Sequence, residues 1–453
     1  MTSLDLTRPP KDGRKAGPRR WLGCVHGGAD AVLASHDGSN LPNRGGRAEA
    51  STQTRRRTPP ELMEDMVTEI LVRLPVKSLL RFKPACRAWQ AIIDDPVFIR
   101  AHLRRSASRW EQSHSFIINP HSMVRVPWDR WPVPSNRYRF HQWQLQCGTT
   151  TTSPRNNNVA TFLHAKDLSD DQQFYTTEFT HRDGLVFSTT TTSLHVFNPA
   201  TRDAITLPTS SRSNLMGGGR FNYHCSGLGL DPRTGMYKVV QAFFRFQSME
   251  PAETKMGMEV FTIGGGGGGA GWREITSDPP YPAKRFQIGV SVCGYMFWRF
   301  SERHTKLERG ILHLSLEEEE FGITGLPDEL DTDNSFLLDE LLGRDLCVSA
   351  SNTSCTMLNI WTLPVADESL CTLWQWRYCI EYPWSLCSVM ALPPFSDEII
   401  LLRGNNICRY DLATSKLKVL CRLDRTRYQG EGARKSELFS AMPFIESLVR
   451  ITY

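Results

Sequence analysis

Apolar residues recur with a helical period near residue 60. Four of them follow one another at intervals of four residues, and Val67 and Leu71 fill the adjacent positions. This spacing predicts an amphipathic helix with one continuous apolar face. Pro75 ends the helix, because a proline ring cannot continue the backbone hydrogen bonds. The four residues of the apolar face are Leu62, Met66, Ile70 and Leu74.

Shorter apolar patterns follow, each bounded by proline or aspartate. They predict helices over Ser78–Lys83, from about Ala85 to Ile93, and over Val97–Leu103. Helices within fewer than 50 residues bury little apolar surface by themselves. The segment therefore packs on the rest of the chain or presents its apolar stripe to a partner.

From about residue 109 the pattern changes to short β-rich runs between turn residues. Strand–turn–strand units are predicted around 194–208, 231–240, 311–323 and 407–420, and further strands at Met258–Ile263, Tyr295–Phe300 and Leu358–Leu363. The leucines of Ser335–Leu342 predict a short helical turn instead. The sequence thus predicts an α+β multidomain chain, in which a small helical domain precedes a large all-β domain.

Repeated hairpins over this length favour a β-propeller, because radial repetition protects the edges of sheets. Their irregular spacing gives no blade count. A pair of β-sandwiches is the alternative architecture. The predicted domains are a disordered basic leader (1–57), a helical domain (58–104), a β-rich domain (109–425) and a C-terminal segment (426–453) that closes the β domain.

The distribution of charge along the chain agrees with this division into domains. The net charge of +5 splits into +6 for residues 1–57, +2 for 58–108 and −3 for 109–453. The basic excess therefore belongs to the leader, where Arg55–Arg57 could form a nuclear import signal or a solvated tail. A nucleic-acid-binding protein normally has a basic folded domain, so the sequence argues against nucleic acid as a partner.

Signals for membranes, metals and catalysis are missing from the sequence. No stretch of 18 apolar residues indicates a membrane span, and no C-x-x-C pair occurs among the 12 cysteines. Gly264–Gly269 lacks the G-K-[ST] of a phosphate loop, and Glu317–Glu320 fits a solvated acidic turn. We therefore expect no cofactor, no metal, no membrane partner and no enzymatic activity.

The helical segment resembles the F-box. The resemblance rests on E-I-L-V-R-L-P at Glu69–Pro75, V-K-S-L-L-R-F at Val76–Phe82 and C-R-A-W at Cys86–Trp89. The sequence departs from the family pattern at Met63 and at Pro84. In F-box proteins, a set of mostly apolar motif positions forms or supports the surface that binds a Skp-type adaptor. The corresponding residues here are Leu62, Ile70, Leu71, Leu74, Pro75, Leu79, Leu80 and Trp89.

The β-rich part resembles the plant F-box-associated domain. The matching elements include D-G-L-V at Asp183–Val186, F-N-P-A-T-R at Phe197–Arg202, G-L-G-L-D-P at Gly227–Pro232 and G-Y-M-F-W at Gly294–Trp298. Together the resemblances imply a substrate-recruiting subunit of an SCF-type cullin–RING ubiquitin ligase, acting in the cytoplasm or nucleus. Its partners would be a Skp-type adaptor and a target protein. The alternatives are a β-propeller carbohydrate-binding module or enzyme, and an F-box scaffold acting outside ubiquitination.

Overall fold

The architecture comes from a computed structural model that describes residues 64–451 with internal gaps. The gaps are residues 122, 125–132, 135–136, 146–157, 168–178, 191–192, 213–224, 247–254, 265–270, 285–286, 301–309, 331–335, 342–343, 353, 355, 367–368, 371–372, 382–386, 393–397 and 431–437. The predicted leader (1–57), Leu62 and most of the Gly264–Gly269 run lie outside the described residues. Helices come first along the chain and strands follow.

The helical module contains α1 (Glu64–Leu71), α2 (Val76–Phe82), α3 (Arg87–Asp94) and α4 (Pro96–Gln112). The side chain of Asp95 caps α4 by accepting a hydrogen bond from the Val97 amide at 2.9 Å, and Pro96 occupies the first turn. Helix α4 is longer than the predicted helix ending at Leu103. Its extension brings the buried Trp110 to the β domain, where Nε1 donates to the Ser115 carbonyl at 2.6 Å.

Of the first five strands, three belong to one large sheet and two form a separate pair. Strands β1, β4 and β5 are antiparallel neighbours, whereas β2 and β3 pair only with each other. Their bounds are β1 (Ser115–His121), β2 (Met123–Val124), β3 (Val133–Pro134), β4 (Arg137–Gln144) and β5 (Val159–Asp167).

Three four-stranded antiparallel sheets follow, which we call blades 2, 3 and 4. Blade 2 contains β6 (Phe179–Arg182), β7 (Leu185–Thr189), β8 (Leu194–Asn198) and β9 (Asp203–Thr206). Blade 3 contains β10 (Ser226–Leu230), β11 (Tyr237–Phe246), β12 (Lys255–Ile263) and β13 (Arg273–Glu274). Blade 4 contains β14 (Val290–Val292), β15 (Tyr295–Arg299), β16 (Gly310–Ser315) and β17 (Phe321–Gly325).

Blades 5 and 6 complete this series. Blade 5 contains β18 (Phe336–Leu341), β19 (Asp345–Ser351), β20 (Met357–Ala366), β21 (Ser369–Leu370) and β22 (Gln375–Glu381). Blade 6 contains β23 (Ser388–Ala391), β24 (Glu398–Arg403), β25 (Asn406–Asp411) and β26 (Lys416–Arg422). The predicted helical turn over Ser335–Leu342 is therefore wrong. Leu337, Leu338 and Leu341 lie on β18, where Leu338 pairs with Val348 of β19, and Leu342 lies outside the described residues.

The last strands close the ring. After a short 3₁₀ turn (Leu423–Arg425) come β27 (Arg427–Tyr428) and β28 (Leu438–Pro443). Strand β28 pairs antiparallel with β1, and blade 1 has the order β28-β1-β4-β5-β27. The innermost strands contact one another in the cyclic order β28, β6, β10, β14, β18, β23 and back to β28. The all-β part is thus a six-bladed propeller, and the β-sandwich alternative is wrong.

Apolar side chains fill every junction between adjacent blades. Aromatic and aliphatic residues from the two facing sheets interdigitate, as expected for radially packed sheets. Representative buried pairs, from the junction of blades 1 and 2 round to that of blades 6 and 1, are Phe140 and Phe197, Phe187 and Val239, Met258 and Trp298, Phe297 and Val348, Ile360 and Ile399, and Ile407 and Phe116.

The acidic turn of blade 4 is not simply solvated, which corrects the expectation for Glu317–Glu320. Glu319 is largely buried and lies 3.0 Å from Lys238 Nζ and 2.6 Å from Arg273 Nη2, both on blade 3. Burial alone would raise the pKa of Glu319, but hydrogen bonds from Arg273 and Lys238 hold it below its ordinary value. The turn therefore joins blades 3 and 4.

None of the described helices is long and apolar enough to cross a membrane. Across the described residues, no three His, Cys, Asp or Glu side chains come together as a metal site would require.

Candidate functional site

The helical module is closed on one side by an apolar cluster that we call the seam. Its members come from all four helices and from the tail, residues 444–451, which follows β28. Each is buried, with relative exposure of 9% or less. The seam consists of Leu71, Val72, Val76, Leu79, Ile93, Phe98 and Leu448. Burial of large aliphatic side chains is the main favourable term in such packing, so the tail is part of the module's core.

Polar contacts fasten the same tail to the module. Glu446 Oε2 accepts a hydrogen bond from the Val76 amide at 3.3 Å, which satisfies a free donor at the start of α2. Arg450 donates to the carboxylate of Asp94 at the end of α3. Lys83 Nζ lies 2.6 Å from that carboxylate. Burial would raise the pKa of Asp94, but the hydrogen bonds from Lys83 and Arg450 lower it overall.

Blade 2 holds the tail from the other side. Asn198 Nδ2 donates to the carbonyl oxygens of Ser447 at 3.2 Å and Val449 at 2.7 Å. Its Oδ1 accepts from the amides of Ala200 and Thr201, which shapes the turn after β8. The asparagine of the F-N-P-A-T-R run therefore has two roles, since it forms a hairpin turn and anchors the tail beneath the helices.

Helix α4 supports the loop between α1 and α2. His102 Nε2 is hydrogen-bonded to the Leu74 carbonyl at 2.9 Å, and Arg109 Nη2 donates to the Arg73 carbonyl at 2.7 Å. Burial lowers the pKa of His102, so the neutral ring donates through Nε2 near neutral pH. These bonds fix the loop that carries the Leu-Pro pair of the sequence motif.

A second apolar face of the module is open to solvent. Met66 and Ile70 are each 52% exposed and lie four residues apart, on one side of α1. We call these two residues the exposed stripe. Near the α2–α3 junction, the exposed Phe82 meets Trp89 edge to face, with ring centroids 5.5 Å apart. Met66, Ile70 and Phe82 are thus large apolar side chains that the fold leaves in contact with solvent.

The structure divides the residues expected at the adaptor surface. Ile70 and Pro75 are exposed, Leu74, Leu80 and Trp89 are half-buried, and Leu71 and Leu79 are buried in the seam. Leu62 lies outside the described residues. Met66 and Phe82 were not among the expected surface residues. The i,i+4 relation of Met66 to Ile70 could have identified the first of them.

A cavity of about 160 Å³ lies at the centre of the propeller, among β6, β18, β23 and β28. It combines an apolar wall with one guanidinium and three carboxyl groups. The apolar residues are Val389, Met390, Met442, Pro443 and Ile445, the guanidinium is that of Arg182, and the carboxyl groups are those of Asp183, Asp339 and Glu340.

Arg182 crosses the centre of the ring. Its Nη1 donates to the Ser291 carbonyl of blade 4 at 3.2 Å and to Glu340 Oε2 of blade 5 at 3.3 Å. Its Nε lies 3.4 Å from Asp183 Oδ2. Burial disfavours the charged guanidinium, but Asp183 and Glu340 raise the pKa of Arg182 above its ordinary value. Arg182 therefore stays charged.

Burial also shifts the pKa values of Glu340, Asp339 and His181. It raises the pKa of Glu340 to about 7, although the Arg182 charge opposes the shift. It raises the pKa of Asp339 to about 6, against hydrogen bonds from Ser388 and the Val389 amide. It lowers the pKa of His181 to about 4, so that the neutral ring accepts a hydrogen bond from the Gly184 amide through Nε2 at 3.1 Å.

These features define a six-bladed propeller that carries an N-terminal helical module. A family model described as the F-box domain matches residues 60–101, and one described as the F-box associated beta propeller domain matches residues 139–387. The second match covers more than half of the chain. The chain belongs to the F-box-associated β-propeller family, and it carries an F-box.

Relatives of the chain occur in Arabidopsis thaliana. A putative F-box protein is 24% identical over 357 residues, which cover 77% of this chain and 78% of the relative. An F-box/kelch-repeat protein is 24% identical over 374 residues, which cover 78% of this chain and 78% of the relative. The similarities confirm the resemblance to plant F-box proteins.

Solved structures are more distant. An oligogalacturonate lyase in complex with manganese aligns over 68% of this chain and 86% of its own, with a TM-score of 0.37 and 9% identity. Values this low say nothing about ligand or activity.

Proposed function

We propose that the chain is the substrate-recruiting subunit of an SCF-type cullin–RING ubiquitin ligase. The helical module would bind a Skp-type adaptor, and the propeller would bind the target protein. The observation that carries the proposal is the exposed stripe, Met66 and Ile70, on a module that matches the F-box and has its other apolar face closed by the seam.

The exposed stripe has the properties of a binding surface. Complete burial of a fully exposed side chain of this size contributes roughly 1.5–3 kcal/mol. Because Met66 and Ile70 are each 52% exposed, burying them at an interface would contribute about half of that amount each. The neighbouring Phe82–Trp89 pair supplies aromatic area of the type that dominates interface hot spots. A hydrophobic groove on the partner could bind α1 through these two residues, which lie at positions i and i+4 of the helix.

The propeller would contribute positioning. Bound at one end to the ligase and at the other to a target, the chain would raise the effective concentration of target lysines near a ubiquitin-charged enzyme. This task needs a rigid link between the two domains. The tail supplies it, since Asn198 and Leu448 connect blade 2, the tail and the helices.

We infer that the chain itself catalyses no reaction. Its relatives are described as F-box proteins, and the proposed role is accomplished by binding alone. The bond-forming chemistry would belong to other subunits of the complex.

Co-purification with a Skp-type adaptor tests the proposal. Full-length chain carrying Ile70→Asp should lose the adaptor, because a carboxylate at a buried interface position is costly to desolvate. Val419→Asp, at a residue 47% exposed on blade 6, is the matched control and should retain the adaptor. Equal retention by both variants would refute docking through the exposed stripe.

Reconstitution with cullin and RING subunits then tests the ligase role. Adaptor-dependent ubiquitin transfer to proteins captured by the propeller supports it. Stable adaptor binding without cullin recruitment would instead indicate a scaffold outside ubiquitination.

A further inference from the structure

The central cavity is large enough for a small organic group. Its volume is about 160 Å³, and an engineered apolar cavity of about 150 Å³ holds benzene. A four- or five-carbon chain with one polar end therefore fits. The lining comes from four blades, so the site exists only in the closed ring.

The two sides of the cavity suit the two ends of such a group. Val389 and Met390 of blade 6 and Met442 of blade 1 offer apolar surface. Asp339 and Glu340 of β18 both line the cavity and offer carboxylates. Ligand sites typically combine an apolar wall with a few converging polar groups.

The charges on the cavity wall do not balance. Arg182 faces the carboxylates of Asp183 and Glu340. Among the described residues, the hydrogen bonds to Asp339 come from neutral donors, Ser388 Oγ at 2.6 Å and the Val389 amide at 3.0 Å. Among the residues that line the cavity, one permanent cation thus faces three carboxyl groups. Asp339 and Glu340 are half-buried, and a carboxylate that is partly removed from water is destabilised unless a cation or hydrogen bonds compensate its charge.

We propose that the cavity binds an alkylammonium group, with the ammonium beside Asp339 and Glu340 and the carbon chain against Val389, Met390 and Met442. The group can be a free aliphatic amine or the side chain of a lysine on a bound protein. Both sources share the chemistry that the wall complements. The proposal is independent of adaptor binding.

The ionisation of the cavity supports this ligand. Burial raises the pKa of Asp339 to about 6 and that of Glu340 to about 7, so part of the site holds protons near neutral pH when no cation is present. Perturbed carboxyl groups in a cleft are candidates for function. An entering ammonium would favour the ionised acids and displace those protons.

The pH dependence follows from the groups that face the cavity. Arg182 stays charged and His181, with a pKa of about 4, stays neutral above pH 5. The pKa of Tyr237, whose hydroxyl donates to Asp183, is raised well above its ordinary value, so it also stays neutral. An alkylammonium with a pKa of about 10.4 is charged throughout. Binding should therefore strengthen as pH rises from 5 to 8, while Asp339 and Glu340 ionise.

The test uses n-pentylamine and the full-length chain in calorimetric titration at pH 7.5. We expect saturable binding with proton release, seen as a heat that depends on the ionisation enthalpy of the buffer. The neutral control, 1-pentanol, should bind at least tenfold more weakly. No binding of n-pentylamine, or equal binding of 1-pentanol, would overturn the proposal.

Near-isosteric variants assign the site. Asp339→Asn and Glu340→Gln should each weaken n-pentylamine binding at least tenfold, and Glu381→Gln, at an exposed residue of blade 5, should leave it unchanged. Ala441 of β28 also lines the cavity. Ala441→Leu keeps both carboxylates but fills the cavity, so it should also block binding. Circular dichroism checks that each variant is folded. Folded cavity variants that bind like the wild type would refute the assignment.

A competition experiment distinguishes the two sources. An acetylated, amidated lysine peptide that displaces n-pentylamine in a Glu340-dependent manner identifies a lysine side chain as an accepted ligand. Binding of n-pentylamine with no displacement by the peptide identifies free amines as the ligands.

Discussion

The two apolar faces of the helical module differ in what covers them. The seam is covered by the tail, and Leu79 is fully buried there. The exposed stripe is half open, with Ile70 52% exposed. Both faces consist of the same kinds of side chain, and Ile70 and Leu71 are adjacent in the sequence. Hydrophobic character alone therefore does not separate a residue that holds the module together from one that binds a partner.

Substitutions of neighbouring residues on α1 should therefore have different effects, depending on the face that each residue occupies. Loss of a seam residue removes packing within the molecule, so its cost appears in the free energy of unfolding. Loss of an exposed residue leaves that packing intact and changes only the free energy of binding. Unfolding and binding measurements can therefore tell the two kinds of residue apart.

Leu79→Ala should have the largest effect. Truncating a fully buried leucine typically costs about 2–5 kcal/mol, because it removes apolar contacts and leaves a cavity. We expect faster hydrogen exchange throughout α1–α4 and weaker adaptor binding as a result. Leu373→Ala, at a residue 75% exposed, is the control and should change neither. Unchanged exchange in the Leu79 variant would show that the seam does not stabilise the module.

Leu448→Ala tests whether the tail belongs to the module. Leu448 lies at the margin of the seam with 4% exposure, so we expect a loss near the lower end of the range for buried leucine, about 2 kcal/mol. Hydrogen exchange should quicken in α1–α3 while the blades remain protected. If exchange quickened only in blade 2, the tail would belong to the propeller alone.

Ile70→Ala should separate binding from folding. Exposed substitutions usually alter stability by less than about 0.5 kcal/mol, so thermal unfolding should not shift. Adaptor affinity should fall about tenfold, which corresponds to about 1.4 kcal/mol. Surface plasmon resonance against the adaptor measures the change. A clear fall in the unfolding temperature would place Ile70 in the seam rather than in the exposed stripe.

Arg450→Ala should have the smallest effect. The Arg450 side chain is 45% exposed and Asp94 keeps its contact with Lys83. Partly exposed ion pairs contribute about 0.2–1 kcal/mol and weaken with salt. We expect a small loss of stability at low ionic strength that vanishes at 1 M salt. Arg137→Ala, which breaks an exposed pair with Asp167 in blade 1, should lose a similar amount without affecting the helices.

Much of the architecture follows from local pattern. The order of helices and strands, the hairpin around Asn198 and the strand at Tyr295 could be predicted because apolar periodicity and turn residues act over a few positions. The end of α4 could not. Residues after Leu103 are mostly polar, and the helix continues because Trp110 packs against β1, a contact invisible in the helical pattern.

The features that the sequence did not predict depend on contacts between residues that lie far apart in the sequence. The leucines of β18 have helix-like spacing, yet pairing with β19 determines their conformation. The burial of Leu79 depends on Leu448, and the position of Arg182 depends on Glu340, which lies 158 residues away in the sequence. The central cavity could not be predicted, since four blades contribute its walls.

The pairing of β28 with β1 sets an order of events during synthesis. Domains emerge from the ribosome from the N-terminus onward, so β1 is made some 320 residues before β28. The helices of the module are made before β1, and Leu448 is made after β28. We expect the nascent module to lack its complete seam until the ring has closed. A chain that stalls before β28 would then present a loosened module, and competence to join a ligase would be linked to completion of the propeller.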